Sequence, residues 1–200
     1  MNLPNKLTVS RFGLTAFFLW ALFWPWPVPF RNTLALVFFC VASFTDFLDG
    51  RIARQRGLIT NFGILMDPLA DKILICSAFV AFVESTHLNA NAPVRVAAWM
   101  VIVIVARELA ITGLRLLAMS KNVVLAAERF GKHKTISQIV TIIALLVVAA
   151  SNEWPPSLQN IFQGWSATFT MISLWLTVVL TAASGLIYLW RNRRLYLDDV

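Results

Sequence analysis

Asp46, Asp49, Asp67 and Asp71 fall in one short stretch of a chain whose 200 residues include only ten acidic ones. The first two aspartates are three positions apart and the last two are four apart, so on helices each pair projects from one face. Four carboxylates at close quarters repel one another unless cations intervene. Hard oxygen donors of this kind suit magnesium or manganese far better than zinc or copper. Between them Gly50, Ala53 and Gly63 lack bulk, which permits close approach of a ligand or a second backbone. Arg54 adds a planar fork matched to phosphate. Carboxylates, divalent cations, small residues and an arginine describe a diphosphate site. Two metals there can bridge phosphate oxygens and stabilise charge on a leaving phosphate, with one aspartate free to take a proton from an attacking hydroxyl. Simple pairing with Arg51, Arg54, Arg56 and Lys72 would account for one acidic pair. Two pairs interleaved with small residues favour the site.

The elements that must position these residues are membrane helices. Hydrophobic residues make up 58% of the chain, against about 45–50% in an ordinary soluble domain. The length accommodates roughly six spans of about 20 residues and no separate soluble domain. One all-α bundle over residues 1–200 is expected, with 1–11 as a short juxtamembrane segment. The formal net charge of +7 does not indicate nucleic acid, because the basic residues lie between apolar runs and not along one polar face. Loop charge bias and anionic lipid or substrate explain it better. Cys40 and Cys76 sit in apolar runs and read as buried free thiols.

Along the chain, an apolar run from Phe12 to Trp24 ends in Trp24-Pro25-Trp26-Pro27-Val28-Pro29. That ending lacks a small-residue cleavage site and suits a retained first span, with prolines stopping the helix and tryptophans at the interface. A second span starts near Asn32 or Thr33 and runs through Val41 into the first aspartates, with Gly57 to Asn61 as a connection. The third begins near Phe62, carries Asp67 and Asp71 in its first turns and continues to Val83. Glu84 to Ala92 reads as a polar loop. A fourth span from Pro93 or Val94 to about Ser120 is interrupted by Arg107, Glu108 and Arg115. The fifth covers about Ile136 to Ala150 and the sixth about Phe162 to Trp190.

The basic clusters fall at the amino terminus, the second loop, the fourth loop and the carboxy terminus. Six spans with both termini in the cytoplasm is the simple topology that keeps every cluster inside. The aspartate stretch then lies at the cytoplasmic boundary of the membrane.

The same stretch fits D-x2-D-G-x2-A-R-x8-G-x3-D-x3-D at every fixed position, through Asp46, Asp49, Gly50, Ala53, Arg54, Gly63, Asp67 and Asp71. This pattern resembles the signature of the CDP-alcohol phosphotransferase family, and the six-span layout extends the resemblance over essentially the whole chain. The resemblance implies transfer of a phosphatidyl group from CDP-diacylglycerol to an alcohol, with release of CMP. It implies that Asp46, Asp49 and Asp67 ligate two Mg2+ or Mn2+ ions and that Asp71 holds a metal or acts as general base. Asn5, Thr8, Gly50, Ala53, Arg54 and Gly63 would contact the CDP-lipid. It further implies a homodimer in the bacterial inner membrane, with the active site facing the cytoplasm.

The remaining basic residues concern the acceptor. Arg107, Ile111 and Arg115 share a face of the fourth helix, and Arg107 is expected about 21 Å from that helix's outer end. Lys132 and Lys134 follow in the basic segment just inside the membrane, with Gln138 one turn further on. An uncompensated cationic cluster facing the aspartates would recruit a phosphorylated acceptor and discourage a neutral one. Arg107-Glu108, Gly113-Leu114-Arg115, Gly131-Lys132, Lys134-Thr135 and Gln138 resemble the branch of the family whose acceptor is sn-glycerol 3-phosphate, as does the opening Pro4-Asn5, Leu7-Thr8 and Arg11. Arg107, Arg115, Lys132, Lys134 and Gln138 are therefore the expected acceptor-phosphate residues. Sister enzymes using inositol phosphate, serine or phosphatidylglycerol share the aspartate pattern. A prenyltransferase would space its aspartate pairs farther apart, and a divalent-cation transporter gives no reason for Gly50, Ala53 and Arg54. His87 and His133 enter no mechanism.

Overall fold

The structure is a computed structural model that describes residues 3–24, 29–56, 61–88, 92–121, 123 and 130–197. Within that range the side chains of residues 3–8, 46–56, 61–68, 71, 87–88, 130–132, 194 and 197 are outside the described ones. The described residues are helical with no strand, in the order α1 (Leu3–Phe23), α2 (Arg31–Arg56), α3 (Asn61–Leu88), α4 (Ala98–Ser120), α5 (Phe130–Ser151), α6 (Pro156–Gln163), α7 (Ser166–Arg191) and α8 (Arg194–Leu197). Within α5 and α7, His133–Ser151 and Ser166–Arg191 are long and apolar enough to cross a membrane. The apolar parts of α1 and α2 that meet the same composition test are shorter, Val9–Phe23 and Arg31–Thr45.

Burial differs from that of a soluble bundle in where its polar and large apolar residues lie. Ile102, Leu109, Met119, Leu186 and Trp190 stand exposed on α4 and α7, while Arg11, Glu108, Lys134, Gln138 and Thr141 are buried. Such a distribution suits hydrocarbon as the surrounding solvent, since polar groups must then find partners inside the protein. The core gathers Phe18, Phe39, Phe79, Ile104, Ile142 and Leu174 from α1, α2, α3, α4, α5 and α7. Phe18 and Phe39 meet with ring centroids 5.7 Å apart, which seats α1 on α2.

Within the expected juxtamembrane segment, Leu3 to Arg11 form the first turns of α1, and Arg11 is fully buried. The expected polar loop from Glu84 begins later, because α3 continues to Leu88. Conversely, α4 starts at Ala98 and not at Pro93 or Val94. Val94 and Val96 are buried with exposed Arg95 between them. That period of two is the habit of extended chain, and Val96 N donates to Thr86 Oγ1 at 3.2 Å, tying the segment to the end of α3. The expected sixth span also divides. Pro155 and Pro156 start the short exposed helix α6, Gly164 weakens its continuation, and Trp165 at φ −129 precedes the start of α7.

The far end of the bundle is held by one carboxylate. Asn32 N and Thr33 N donate to Glu153 Oε1 and Oε2 at 2.8 and 2.9 Å, and Thr33 Oγ1 donates to Oε2 at 2.8 Å. Glu153 thus supplies acceptors for the otherwise unpaired first amides of α2, where negative charge also complements the helix dipole. The turn into α2 passes through Phe30 at φ 59. Between α5 and α7, Thr141 Oγ1 lies 2.6 Å from Ser173 Oγ and 2.9 Å from Thr177 Oγ1, a hydroxyl seam inside the apolar bundle.

Candidate active site

α2 and α3 carry the acidic pairs. Asp46 and Asp49 lie in the second half of α2 and Asp67 and Asp71 in the first half of α3, and these two helices pack together. Asp46 is about 21 Å along α2 from the Asn32 end capped by Glu153. The side chains of Asn5, Thr8, Asp46, Asp49, Gly50, Ala53, Arg54, Gly63, Asp67, Asp71 and Lys132 are outside the described ones. Elsewhere among the described residues no group of three or more His, Cys, Asp or Glu could hold a metal ion. By the sequence spacing the aspartate set is the candidate donor set, and all-oxygen ligands of this kind would suit Mg2+ or Mn2+.

From Asp71 the chain steps directly to Lys72, whose ammonium donates to Thr112 Oγ1 of α4. Thr112 Oγ1 in turn donates to the carbonyl of Glu108 at 2.7 Å, one turn back. The Glu108 carboxylate receives the ammonium of Lys134 from α5 and Nη1 of Arg107 at 3.4 Å. This run of contacts joins α3, α4 and α5, so the basic residues expected at the acceptor end approach the helix that carries Asp67 and Asp71. Arg107 also lies against α7: a β-carbon on Gly185 would meet its Cγ at 2.7 Å.

Two expectations about this cluster change. Because α4 begins at Ala98, Arg107 is about 14 Å from its amino-terminal end and not 21 Å. Nor is the cluster uncompensated, since Glu108 is buried between Arg107 and Lys134. The physical reason is general. Cations taken out of water require a counter-charge, and Glu108 supplies it from the same helical turn as Arg107.

Of the expected acceptor residues, Arg107 and Lys134 meet through Glu108. Gln138 is fully buried one turn beyond Lys134, and neither atom of its amide has a partner among the described residues. Arg115 stands exposed two turns beyond Arg107, with its guanidinium 6.0 Å from the Tyr188 ring centroid. His133 is exposed. On α7, the buried hydroxyls of Thr181 and Tyr188 have no partner among the described residues.

Sequence reasoning did not assign Lys72, Thr112, Gly185, Thr181 or Tyr188 to the site, and named Glu108 as an interruption of an apolar run and as part of the Arg107-Glu108 resemblance without giving it a role. Glu108 had a readable signal, because a lone carboxylate in such a run needs a cationic partner. Thr181 and Gly185 had none, since small residues along an apolar helix ordinarily serve packing. At the opposite end of the bundle a cleft of about 210 Å³ is lined by Arg31, Asn32, Ser85, Thr86 and Asn152 among others. It lies by the Glu153 cap and away from the aspartates.

Comparison with known proteins agrees with this reading. The sequence model of the CDP-alcohol phosphatidyltransferase family matches residues 1–183. A Bacillus subtilis strain 168 protein named CDP-diacylglycerol--glycerol-3-phosphate 3-phosphatidyltransferase is 38% identical over 202 residues, covering 96% of this chain and 95% of its own length. An Escherichia coli K12 protein of the same name is 32% identical over 204 residues, covering 99% of this chain and 98% of its own length. Similarity that runs through nearly the whole chain, together with both aspartate pairs in their family spacing, makes this chain a member of the CDP-alcohol phosphatidyltransferase family.

Proposed function

We propose that this protein transfers the phosphatidyl group of CDP-diacylglycerol to sn-glycerol 3-phosphate, giving phosphatidylglycerophosphate and CMP. The observation that carries the proposal is the joining of two chemistries. The helix bearing Asp67 and Asp71 touches, through Lys72 and Thr112, the helix bearing Arg107 and Glu108. Relatives carrying that activity in their names match almost the full length.

In the proposed reaction the free primary hydroxyl of glycerol phosphate attacks the lipid-side phosphorus of CDP-diacylglycerol. The new bond joins that oxygen to phosphorus, the bridging P–O bond breaks, and CMP departs with the bridging oxygen. Asp71 takes the hydroxyl proton on a carboxylate oxygen. Gly50, Ala53 and Gly63 leave room for the cytidine diphosphate, Arg54 pairs with its phosphate, and Asn5 and Thr8 complete that side. Arg107, Lys134 and Gln138 hold the acceptor phosphate, with Lys132 and Arg115 at its edge. Metal dependence belongs to the same proposal: Asp46, Asp49, Asp67 and Asp71 would hold two Mg2+ or Mn2+ ions. When bound, such ions supply Lewis-acid stabilisation of the charge developing on the leaving phosphate.

The proposed setting is the bacterial cytoplasmic membrane, with residues 1–200 as one domain. α1, α2, α3, α4, α5 and α7 would span it, α6 would lie at its outer face, and both termini and the aspartates would face the cytoplasm. The basic clusters at the inner ends support that orientation. A homodimer is proposed on family resemblance. The reading is tested by following CMP release from purified protein given CDP-diacylglycerol, a metal titration and a panel of glycerol phosphate, inositol phosphate, serine and phosphatidylglycerol. Glycerol phosphate should be the preferred acceptor; preference for another member of the panel overturns the acceptor, and no CMP with any acceptor overturns the reaction.

A further inference from the structure

We propose that Thr112 is a positioning residue that locks the helix bearing Asp67 and Asp71 to the helix bearing Arg107, so that the two substrates meet at a fixed offset. The proposal rests on the transfer reaction proposed above, with its acceptor held on α4. Thr112 Oγ1 gives its proton to the Glu108 carbonyl at 2.7 Å. A hydroxyl has one donor and two lone pairs, so the oxygen meets its other neighbour as an acceptor. That neighbour is the Lys72 ammonium of α3, which donates to it. The contact is half-buried, and a hydrogen bond from a charged donor is among the stronger kinds.

This contact belongs to a register that runs along the antiparallel pair α3 and α4. Phe79 follows Lys72 by seven residues, Ile104 precedes Thr112 by eight, and both are fully buried in the common core. Farther on, Thr86 of α3 accepts from Val96 N, just before α4 begins. The two hydrogen bonds thus fasten α3 to the chain of α4 at points about 21 Å apart along α3. Lys72 is next to Asp71, and successive residues of a helix stand about 100° apart around its axis. Positions 67 and 71 share a face, so holding Lys72 on α4 fixes the rotation at which that face stands. Any slide or turn of α3 against α4 moves both aspartate positions relative to Arg107. A displacement of about 1 Å between reacting groups costs on the order of 100-fold in rate. In this role Thr112 acts through Lys72 and not on the reacting atoms.

The test is steady-state kinetics of the full-length protein in detergent with CDP-diacylglycerol, sn-glycerol 3-phosphate and Mg2+, comparing parent, Thr112→Val and Thr112→Ser. Valine keeps the branched shape and replaces the hydroxyl by a methyl group, whereas serine keeps the hydroxyl. Thr112→Val should lower kcat about tenfold with both KM values within about twofold, because each substrate keeps its own contacts and only their offset changes. Thr112→Ser should hold kcat within about twofold of the parent. In a Lys72→Met background, adding Thr112→Val should cost less than about twofold more, as for two residues acting through one bond. An unchanged kcat in Thr112→Val overturns the proposal, and so does its full loss recurring in the Lys72→Met background. Thr112→Ser as slow as Thr112→Val, or a parallel loss in kcat and both KM values, overturns it too, since side-chain bulk or structural damage is then at work. Thr112→Ala takes the place of Thr112→Val in every comparison if the latter does not fold. A parent that releases CMP only with another acceptor overturns the acceptor reading alone, and the variants are then compared on that acceptor; a parent that releases none overturns both.

Discussion

Arg107 passes Gly185 so closely that a β-carbon on the glycine would stand 2.7 Å from the arginine's Cγ. The atom approached is near the base of the side chain, so relief requires the whole of Arg107 to move. Gly185→Ala is expected to raise the acceptor KM roughly threefold to tenfold and to destabilise the fold by about 1–3 kcal/mol, the usual range for overpacking. Acceptor-dependent kinetics and thermal unfolding check both parts, and an unchanged acceptor KM would show that Arg107 does not depend on this fit.

Asp67→Asn and Asp71→Asn retain side-chain size and remove charge from the α3 pair. Each is expected to reduce CMP release by at least about 100-fold, the scale associated with loss of a general base, while circular dichroism stays that of the parent. Chelator should stop the parent enzyme, and Mg2+ or Mn2+ should restore it. Near-normal turnover in both variants would falsify the assignment of this pair.

Glu153→Ala removes the acceptors for the first amides of α2 and for Thr33 Oγ1. The expected cost is about 1–3 kcal/mol from the lost cap and the donors left unpaired. It should appear as a lower melting temperature with little change in kcat, since Asp46 is about 21 Å farther along the helix. A large loss of kcat at unchanged stability would contradict a purely structural role.

The proposed orientation makes a separate prediction. In a background with Cys40→Ser and Cys76→Ser, Asn152→Cys should react with an impermeant thiol reagent added outside intact cells, whereas Asn192→Cys should react only after the membrane is opened. Labelling of both positions from outside would reject the topology.

The sequence by itself determined the composition and spacing of the proposed donor site. The spacing of Asp46, Asp49, Asp67 and Asp71 is local, and on helices local spacing sets which side chains share a face. Apolar runs likewise revealed the main helices, because burial in hydrocarbon imposes a length and composition that any window of the chain displays. Helix ends were less legible. Val94 and Val96 look equally apolar as helix or as extended chain, and a bond from Val96 to Thr86 of another element decides between them. The acceptor end was legible only as a list of basic residues. That Lys134 would meet Glu108, that Arg107 would lie against Gly185 and that Arg115 would stand apart beside Tyr188 all depend on how α4, α5 and α7 pack. Charge compensation is a relation between helices distant in sequence, set by packing register, and only the tertiary structure decided it.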